Sequence, residues 1–229
     1  PKMQFGDLRY IQLSDYVDMP VHNGMICSNH NNLIYASVPN RIKLTSQFMR
    51  ILGLFAAEGS VSKTKDSKRN KHYGYSRITF AFHKKEVNLI NEITEFFGKG
   101  SVRSNSENGV SVNIYSAPWA YFFKKLIGTG RAKKIPSFVW DCSFSLQNAF
   151  ISGITDGDGW IGTKIQGNGN KPYTYRHYTS VSPSLAYGVS QLLSNCGIYP
   201  SITYSPSRDN YDLHWGIDQS NKNNHQSHR

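Results

Sequence analysis

The sequence predicts an α+β protein made of two pseudo-symmetric halves, each with the element order αββαββ and the first closed by a further helix. Two repeats predict this fold. A nine-residue motif occurs at residues 51–59 (ILGLFAAEG) and again at residues 151–159 (ISGITDGDG). The segments that follow each copy repeat the same succession of strand-like and helix-like hydrophobic patterns.

Each motif predicts a helix with small residues along one face. The small residues lie four positions apart: Gly53 and Ala57 in the first copy, Gly153 and Gly157 in the second. Residues four apart share a helix face, so two such helices can pack with their backbones close together. Each helix then ends in an acid and a glycine that can turn the chain, which would place Glu58 beside Asp158. Paired carboxylates are what a divalent-metal site for phosphodiester chemistry requires.

The later elements of each half also occur twice. They are, in order, a strand at residues 73–80 and 173–179, a helix at 86–97 and 185–196, and a hairpin at 101–116 and 201–217. The strands are rich in alternating aromatic and β-branched residues, and the first hairpin contains the strong turn signal Asn108-Gly109. Residues 117–127 predict the helix that closes the first half. We therefore predict two halves at residues 46–141 and 142–218, followed by a polar, disordered tail at 219–229.

In glycine spacing and terminal acids, the two motifs resemble those of the LAGLIDADG homing endonucleases, in the two-motif, single-chain subclass. In that family each motif is a helix, the helices pack at the centre of the protein, and the acid at the eighth position of each binds metal. The resemblance implies that Glu58 and Asp158 are catalytic metal ligands and that Mg²⁺ is the cofactor. Asp156 lies at the sixth position, which is not a ligand position in the family, and the first copy has Ala56 there.

A short basic segment joins the halves. Residues 133–136 (KKIP) resemble the K-x-I-P segment that links the halves in many intein-encoded members of the family. The resemblance implies that Lys133 acts beside the carboxylates, where its charge would stabilise the phosphorane or polarise the attacking water. A basic linker without a catalytic role is the alternative, and Lys134 is the alternative lysine.

Composition favours a polyanionic partner. Lys and Arg outnumber Asp and Glu by 26 to 15, which gives a formal net charge of +11. The candidate DNA-binding residues are Lys63, Lys65, Lys68, Arg69, Lys71, Tyr75, Arg77 and Arg103 in the first half, and Lys164, Lys171, Tyr175, Arg176 and Arg208 in the second. A basic loop is also consistent with a solvated surface, and the sequence does not decide whether the aromatic strand positions face DNA or the core.

Residues 1–45 predict an N-terminal extension of possible intein origin. Residues 15–20 (DYVDMP) resemble the G-D-Y-x-x-x-P segment found upstream of intein endonuclease domains, with Ser14 in place of the glycine. The chain also begins at Pro1 without Met, which suggests a piece of a larger polypeptide.

Together these features predict a monomeric, site-specific DNA endonuclease with a long, non-palindromic target. Its two sheets would form a saddle over the duplex, and the family resemblance implies cleavage of both strands across the minor groove with short 3′ overhangs. The alternatives are a non-cleaving DNA-binding regulator or an intron RNA maturase of the same fold, and a protein-splicing element. There is no apolar run of about 18 residues that would span a membrane. The N terminus does not resemble a signal peptide, and the three cysteines lack the spacing of metal ligands. We therefore expect reduced thiols and an intracellular location (cytoplasm, nucleoid or organelle matrix).

Overall fold

The computed structural model describes residues 9–30, 33–63, 75–98, 100–165 and 172–216. Within these ranges the chain forms the predicted α+β fold, with two halves that each carry an antiparallel sheet. None of the helices in the described ranges is long and apolar enough to cross a membrane. Cys27, Cys142 and Cys196 are free thiols, and the first two are buried.

The N-terminal extension forms two small antiparallel sheets. Its strands are β1 (Tyr10–Gln12), β2 (Val21–His22), β3 (Met25–His30), β4 (Leu33–Pro39) and β5 (Arg41–Lys43). β1 pairs with β5, and β2, β3 and β4 pair in that order. Ile11, Leu13, Ile26 and Val38 are buried in the same hydrophobic cluster as the first half. The extension therefore shares a core with the first half and is not a separate module.

The first half has the predicted order of elements. They are α1 (Ser46–Glu58), β6 (Gly59–Lys63), β7 (Tyr75–His83), α2 (Val87–Phe97), β8 (Ser101–Ser104), β9 (Gly109–Tyr115) and α3 (Ala117–Leu126). Thr45 caps α1 by accepting a hydrogen bond from the Phe48 amide, and Ser116 caps α3 by accepting one from Trp119. α2 ends at Gly98, whose φ of 63° is the left-handed conformation that glycine tolerates.

The second half repeats this order without a counterpart of α3 in the described residues. Its elements are α4 (Phe144–Gly157), β10 (Gly159–Ile165), β11 (Pro172–Ser180), α5 (Pro183–Asn195), β12 (Ser201–Ser205) and β13 (Asn210–Gly216). The predicted helix at 185–196 begins earlier, because Ser182 caps it and Pro183 occupies its first turn. The predicted disordered tail at 219–229 lies outside the described residues.

The two large sheets have the same topology. Their strand orders are β6-β7-β9-β8 and β10-β11-β13-β12, antiparallel throughout. In the first sheet Ile78 and Phe80 lie on the covered face, and Tyr178 and Leu213 do so in the second. The opposite face of each sheet carries the polar and aromatic side chains considered below. The predicted repeat is thus a repeat of sheet order as well as of sequence.

Helices α1 and α4 pack against each other between the halves. A Cβ atom placed on Gly53 would lie 3.0 Å from Gly153 Cα and from the Ile154 nitrogen, and closer still to the Phe150 carbonyl oxygen. A Cβ on Gly157 would lie 2.6 Å from the Ala57 Cβ. Small residues are therefore required along this interface, as the four-residue spacing predicts.

Candidate functional site

A pair of neighbouring carboxylates lies where α1 and α4 end. Glu58 is the last residue of α1, and Asp158 immediately follows α4. The two carboxyl groups lie within hydrogen-bonding reach of each other. Burial, followed by the charge of Asp158, raises the pKa of Glu58 to about 8, and burial also raises the pKa of Asp158. Two negative charges at this site are therefore unfavourable unless a cation or a proton offsets them.

The glycines after these acids have a different role from the predicted one. Gly59 is extended, with φ of −80° and ψ of 143°, and both Gly59 and Gly159 begin strands. A Cβ on Gly59 would overlap the Phe55 ring, and one on Gly159 would lie 3.0 Å from Thr155 Cα. These glycines are therefore needed for close approach to the preceding helical turn, not for a left-handed turn.

Lys133 is buried beside the carboxylates. Its side chain is 9% exposed, and Nζ donates a 2.7 Å hydrogen bond to the Ala57 carbonyl oxygen, one residue before Glu58. Ser182 holds the segment in place by donating a 2.5 Å hydrogen bond to the Lys133 carbonyl oxygen. Burial lowers the pKa of the Lys133 ammonium, while the charges of Asp158 and Glu58 act in the opposite direction. Lys134 is exposed, so of the two candidates Lys133 lies in the site.

The donor set fits a hard divalent cation. Mg²⁺ is commonly held by one or two carboxylates together with substrate phosphates and water. Two carboxylates close enough to share a proton are such a pair, because a cation would replace that proton and relieve their repulsion. No cluster of three or more His, Cys, Asp or Glu that would hold a metal occurs in the described ranges. In sites with one or two carboxylates, the remaining positions are filled by substrate phosphates and water.

The open face of the first sheet is polar. Arg77 donates hydrogen bonds of 3.3 and 3.0 Å to Ser62 and lies over the ring of Tyr115. Thr79 donates a 2.9 Å hydrogen bond to Asn113 on the neighbouring strand. Arg103 is exposed on β8. These side chains offer donors and acceptors of the kind that read base edges.

The remaining candidates of the first half divide into two groups. Tyr75 packs against Tyr121 of α3, with ring centroids 6.4 Å apart, and the exposed Lys63 lies over its ring. The other candidates, Lys65, Lys68, Arg69 and Lys71, lie outside the described residues.

In the second sheet the structure corrects the placement of Arg176. Tyr175 lies on the open face, so the neighbouring Arg176 lies on the opposite one. Its Nη1 donates a 2.9 Å hydrogen bond to Thr155 of α4 and lies 3.8 Å from Asp156. Its guanidinium is therefore engaged with α4 and points away from the open face. Arg208 is exposed and bonds to Asp212 at 2.9 Å. Lys164 lies on β10, and Lys171 lies outside the described residues.

A polar cluster at the helix interface was missed in the sequence. Arg50 of α1 bonds to Glu92 of α2 at 2.7 Å, to Ser152 at 2.7 Å and to Asp156 at 2.6 Å. Asp156 thus pairs with arginine and does not join the carboxylate pair. The signal available was a single arginine among the otherwise apolar or small residues 48–57 of α1, but its partners are distant in sequence.

Comparison with known families agrees with this arrangement. Residues 51–126 match the LAGLIDADG endonuclease family, and residues 145–225 match the LAGLIDADG-like domain family. The two ranges together cover more than half of the chain, and each contains one motif with its acid. The chain belongs to the LAGLIDADG family, in its two-motif, single-chain form.

Three curated proteins are similar in sequence. The chain is 28% identical over 174 residues to the uncharacterized protein MJ1054 of Methanocaldococcus jannaschii, covering 72% of this chain and 18% of that protein. It is 28% identical over 198 residues to the DNA-directed RNA polymerase subunit Rpo1C of the same organism, covering 82% and 20%. It is 27% identical over 172 residues to the ATP-dependent DNA helicase Hel308 of Thermococcus kodakarensis, covering 72% and 14%. The chain thus spans a fifth or less of the length of these relatives.

Solved structures of a homing endonuclease share the fold. A structure from work on mesophilic variants of the homing endonuclease I-DmoI matches with a TM-score of 0.53 at 16% identity, covering 76% of this chain and 90% of that one. A structure of I-DmoI in complex with DNA and Mn matches with a TM-score of 0.53 at 15% identity, covering 75% and 90%. The fold is that of a LAGLIDADG homing endonuclease.

Proposed function

We propose that this protein is a site-specific endonuclease that cuts both strands of duplex DNA with the help of a divalent cation. One observation carries the proposal: each half contributes one carboxylate to a closely spaced pair, and a buried lysine lies beside it. A site built from both halves suits a reaction on two strands related by a local twofold axis. Short 3′ overhangs, implied by the family resemblance, are part of the proposal.

The residues divide the chemistry between them. Glu58 and Asp158 would hold the cation, Mg²⁺ being our expectation, through their carboxylate oxygens. When bound, such an ion polarises the attacking water and offsets charge on the leaving oxygen. The Lys133 ammonium, tied to the Ala57 carbonyl, would hold positive charge where the phosphorane develops its negative charge. Lys133 is itself buried, which strengthens its interaction with nearby charge.

The DNA would lie across the open faces of both sheets. The net charge of +11 favours phosphate contacts, and the polar side chains of the first sheet suit a major groove. I-DmoI, which shares the fold, has been solved in complex with DNA and Mn. Because the two sheets present different side chains, we propose that a monomer binds a long, non-palindromic target.

We also propose that the chain derives from an intein. The curated relatives include an RNA polymerase subunit and a DNA helicase, and the chain matches 20% and 14% of their lengths. A segment shared by long proteins with unrelated names is expected of an inserted element. Sequencing of the flanking genomic DNA tests this origin. A reading frame that continues on both sides into a host protein is expected, and stop codons bounding the chain would contradict it.

Cleavage of the uninterrupted host locus tests the endonuclease. Purified protein is incubated with a plasmid that carries this locus and Mg²⁺, and the product ends are mapped. We expect one double-strand cut with short 3′ overhangs. The matched control is Glu58→Gln, which should bind the plasmid and leave it intact. Cleavage by the control at the wild-type rate would assign the activity to a contaminant or to other residues.

A further inference from the structure

The open face of the second sheet carries a continuous strip of aromatic and imidazole rings. The aromatic strip consists of Trp160, Tyr173, Tyr175, His177 and His214. Trp160 lies 5.4 Å from Tyr175 and 5.2 Å from His177, between ring centroids. His177 lies 4.4 Å from His214, and Tyr173 lies 5.9 Å from Tyr175. The rings thus form one connected surface.

Strand register builds this strip. Trp160, His177 and His214 are directly opposite one another on β10, β11 and β13. Tyr175 and Tyr173 follow at alternate positions on β11, so they share that face. Gly162 leaves room for the rings, since a Cβ there would lie 2.6 Å from the Tyr175 hydroxyl oxygen and would overlap Trp160.

The described part of the equivalent face of the first sheet is more polar. Ser60 and Ser62 occupy the positions one hundred residues before Trp160 and Gly162. Arg77, Thr79 and Asn113 add hydrogen-bonding groups to that face, next to the ring of Tyr115. The open face of the second sheet also carries a polar group, in which His177 and Thr179 contact Asp212, but the exposed Trp160 adds apolar surface where the first sheet has a serine.

The geometry of the rings favours groove contacts over base stacking. Tyr175 is only 7% exposed, because its ring packs among Trp160, Tyr173 and His214. Trp160 and Tyr173 are 50% and 43% exposed and are tilted against Tyr175 by 70° and 43°. Ring faces covered by neighbours are poor platforms for unpaired bases. The remaining exposed carbon suits small apolar groups.

In the major groove the apolar group presented by DNA is the C5-methyl of thymine. Resting on the proposed function, we infer that the second sheet recognises its half-site through thymine methyl groups. The half-site under the second sheet is therefore richer in A·T pairs than the half-site under the first, which is read by hydrogen bonds.

Selection from a library of randomised duplexes tests this inference. The full chain selects duplexes in EDTA, so that binding is measured without cleavage. Two matched variants assign the half-sites: Trp160→Ala should change base preferences only in the half-site under the second sheet, and Arg77→Ala only in the other. Thymine in the selected site is then replaced by deoxyuridine, which removes only the methyl group, in one half-site at a time.

We expect deoxyuridine under the second sheet to weaken binding roughly fourfold for each methyl group lost. The same change under the first sheet should alter affinity by less than about twofold, because recognition there depends on hydrogen bonds and not on the methyl group. Trp160→Ala and Tyr173→Ala, which each remove an exposed ring of the strip, should discriminate less than the wild type between the thymine and deoxyuridine sites.

Two results would overturn the inference while leaving the proposed function intact: equal sensitivity to deoxyuridine in both half-sites, or none in either. Tighter binding of the single strands than of the duplex would also overturn it, because the strip would then stack on unpaired bases. Enrichment of no sequence at all would instead refute site-specific binding, and with it the proposed function.

Discussion

Substitution of Gly53 by alanine should destabilise the protein far more than a single methyl group suggests. Gly53 lies where α1 and α4 are closest, and the new Cβ would lie 3.0 Å from Gly153 Cα and would overlap the Phe150 carbonyl oxygen. Both obstacles are backbone atoms, which cannot rotate away as a side chain can. The helices must therefore separate.

The cost follows from that separation. Overpacking of a core by one methyl group costs about 1–3 kcal/mol. A radial gap of about 0.5–1 Å along the rest of the interface also forfeits about a quarter to a half of the dispersion energy of each contact. We therefore expect about 3 kcal/mol for Gly53→Ala, and more for Gly53→Leu. For a chain of this length that corresponds to a decrease in Tm of about 6–12 °C.

Thermal unfolding followed by circular dichroism measures this effect. Gly216→Ala is the matched control, because a Cβ on Gly216 meets nothing within 4 Å; its Tm should stay within about 2 °C of wild type. Gly153→Ala should behave as Gly53→Ala does, since its Cβ would lie 2.8 Å from the Leu54 nitrogen. If Gly53→Ala had the same Tm as Gly216→Ala, the close approach of α1 and α4 would be wrong.

Three further predictions concern the carboxylate site. Glu58→Gln and Asp158→Asn should each abolish cleavage. Both variants should keep DNA affinity within a few-fold of wild type in a filter-binding assay, because affinity comes mainly from phosphate contacts. Near-normal cleavage by either variant would show that the replaced carboxylate does not take part in the reaction. Lys133→Met should slow single-turnover cleavage on the order of 100-fold, as loss of an electrostatic stabiliser does, whereas the exposed Lys134→Met should not. The pKa of Glu58 is raised from 4.5 to about 8 on folding, so in EDTA the folded state should lose stability as pH rises from about 4.5 to about 8. The Tm measured across this pH range should fall less in Glu58→Gln than in the wild type. An equal fall in both proteins would contradict the raised pKa.

The motif helices could be predicted because their signal is local. Four-residue spacing of small residues fixes a helix face, and a terminal acid follows from the same nine positions. The position of Lys133 was predicted only through resemblance, since 74 residues separate it from Glu58 in the numbering of the chain. Its place in the site depends on the hydrogen bond from Ser182, on the other half. Sequence periodicity contains no such information.

Strand faces could be predicted only in part. Alternation showed that Tyr175 and Arg176 lie on opposite faces, but not which face is open. The pairing of β6 with β7 is irregular, because the register shifts between Ser62 and Lys63 of β6, close to Tyr75 of β7. The aromatic strip was missed because Trp160, His177 and His214 become neighbours only through pairing of three strands. Pairing register is a tertiary property, and a shift of one residue exchanges the faces.

The Arg50 cluster shows how a repeated interface can remain specific for one pairing. Arg50, Ser152 and Asp156 bond across α1 and α4. The residues at the equivalent positions of the other motif helix are Phe150, Leu52 and Ala56. All three are buried and apolar. The interface is therefore polar on one side of the pseudo-twofold axis and apolar on the other.

This asymmetry bears on association between chains. If α1 of one chain packed against α1 of another, each Arg50 would face Leu52 and Ala56 in place of Ser152 and Asp156. Arg50 would keep Glu92 of its own half but lose Asp156, and placing part of a guanidinium against apolar groups is unfavourable. If α4 packed against α4, each Asp156 would likewise face Phe150 in place of Arg50. Such mismatches discriminate between partners more by penalising wrong pairs than by stabilising the right one. The cluster thus favours pairing of the two halves within one chain, which is the arrangement that places one carboxylate from each half in the site.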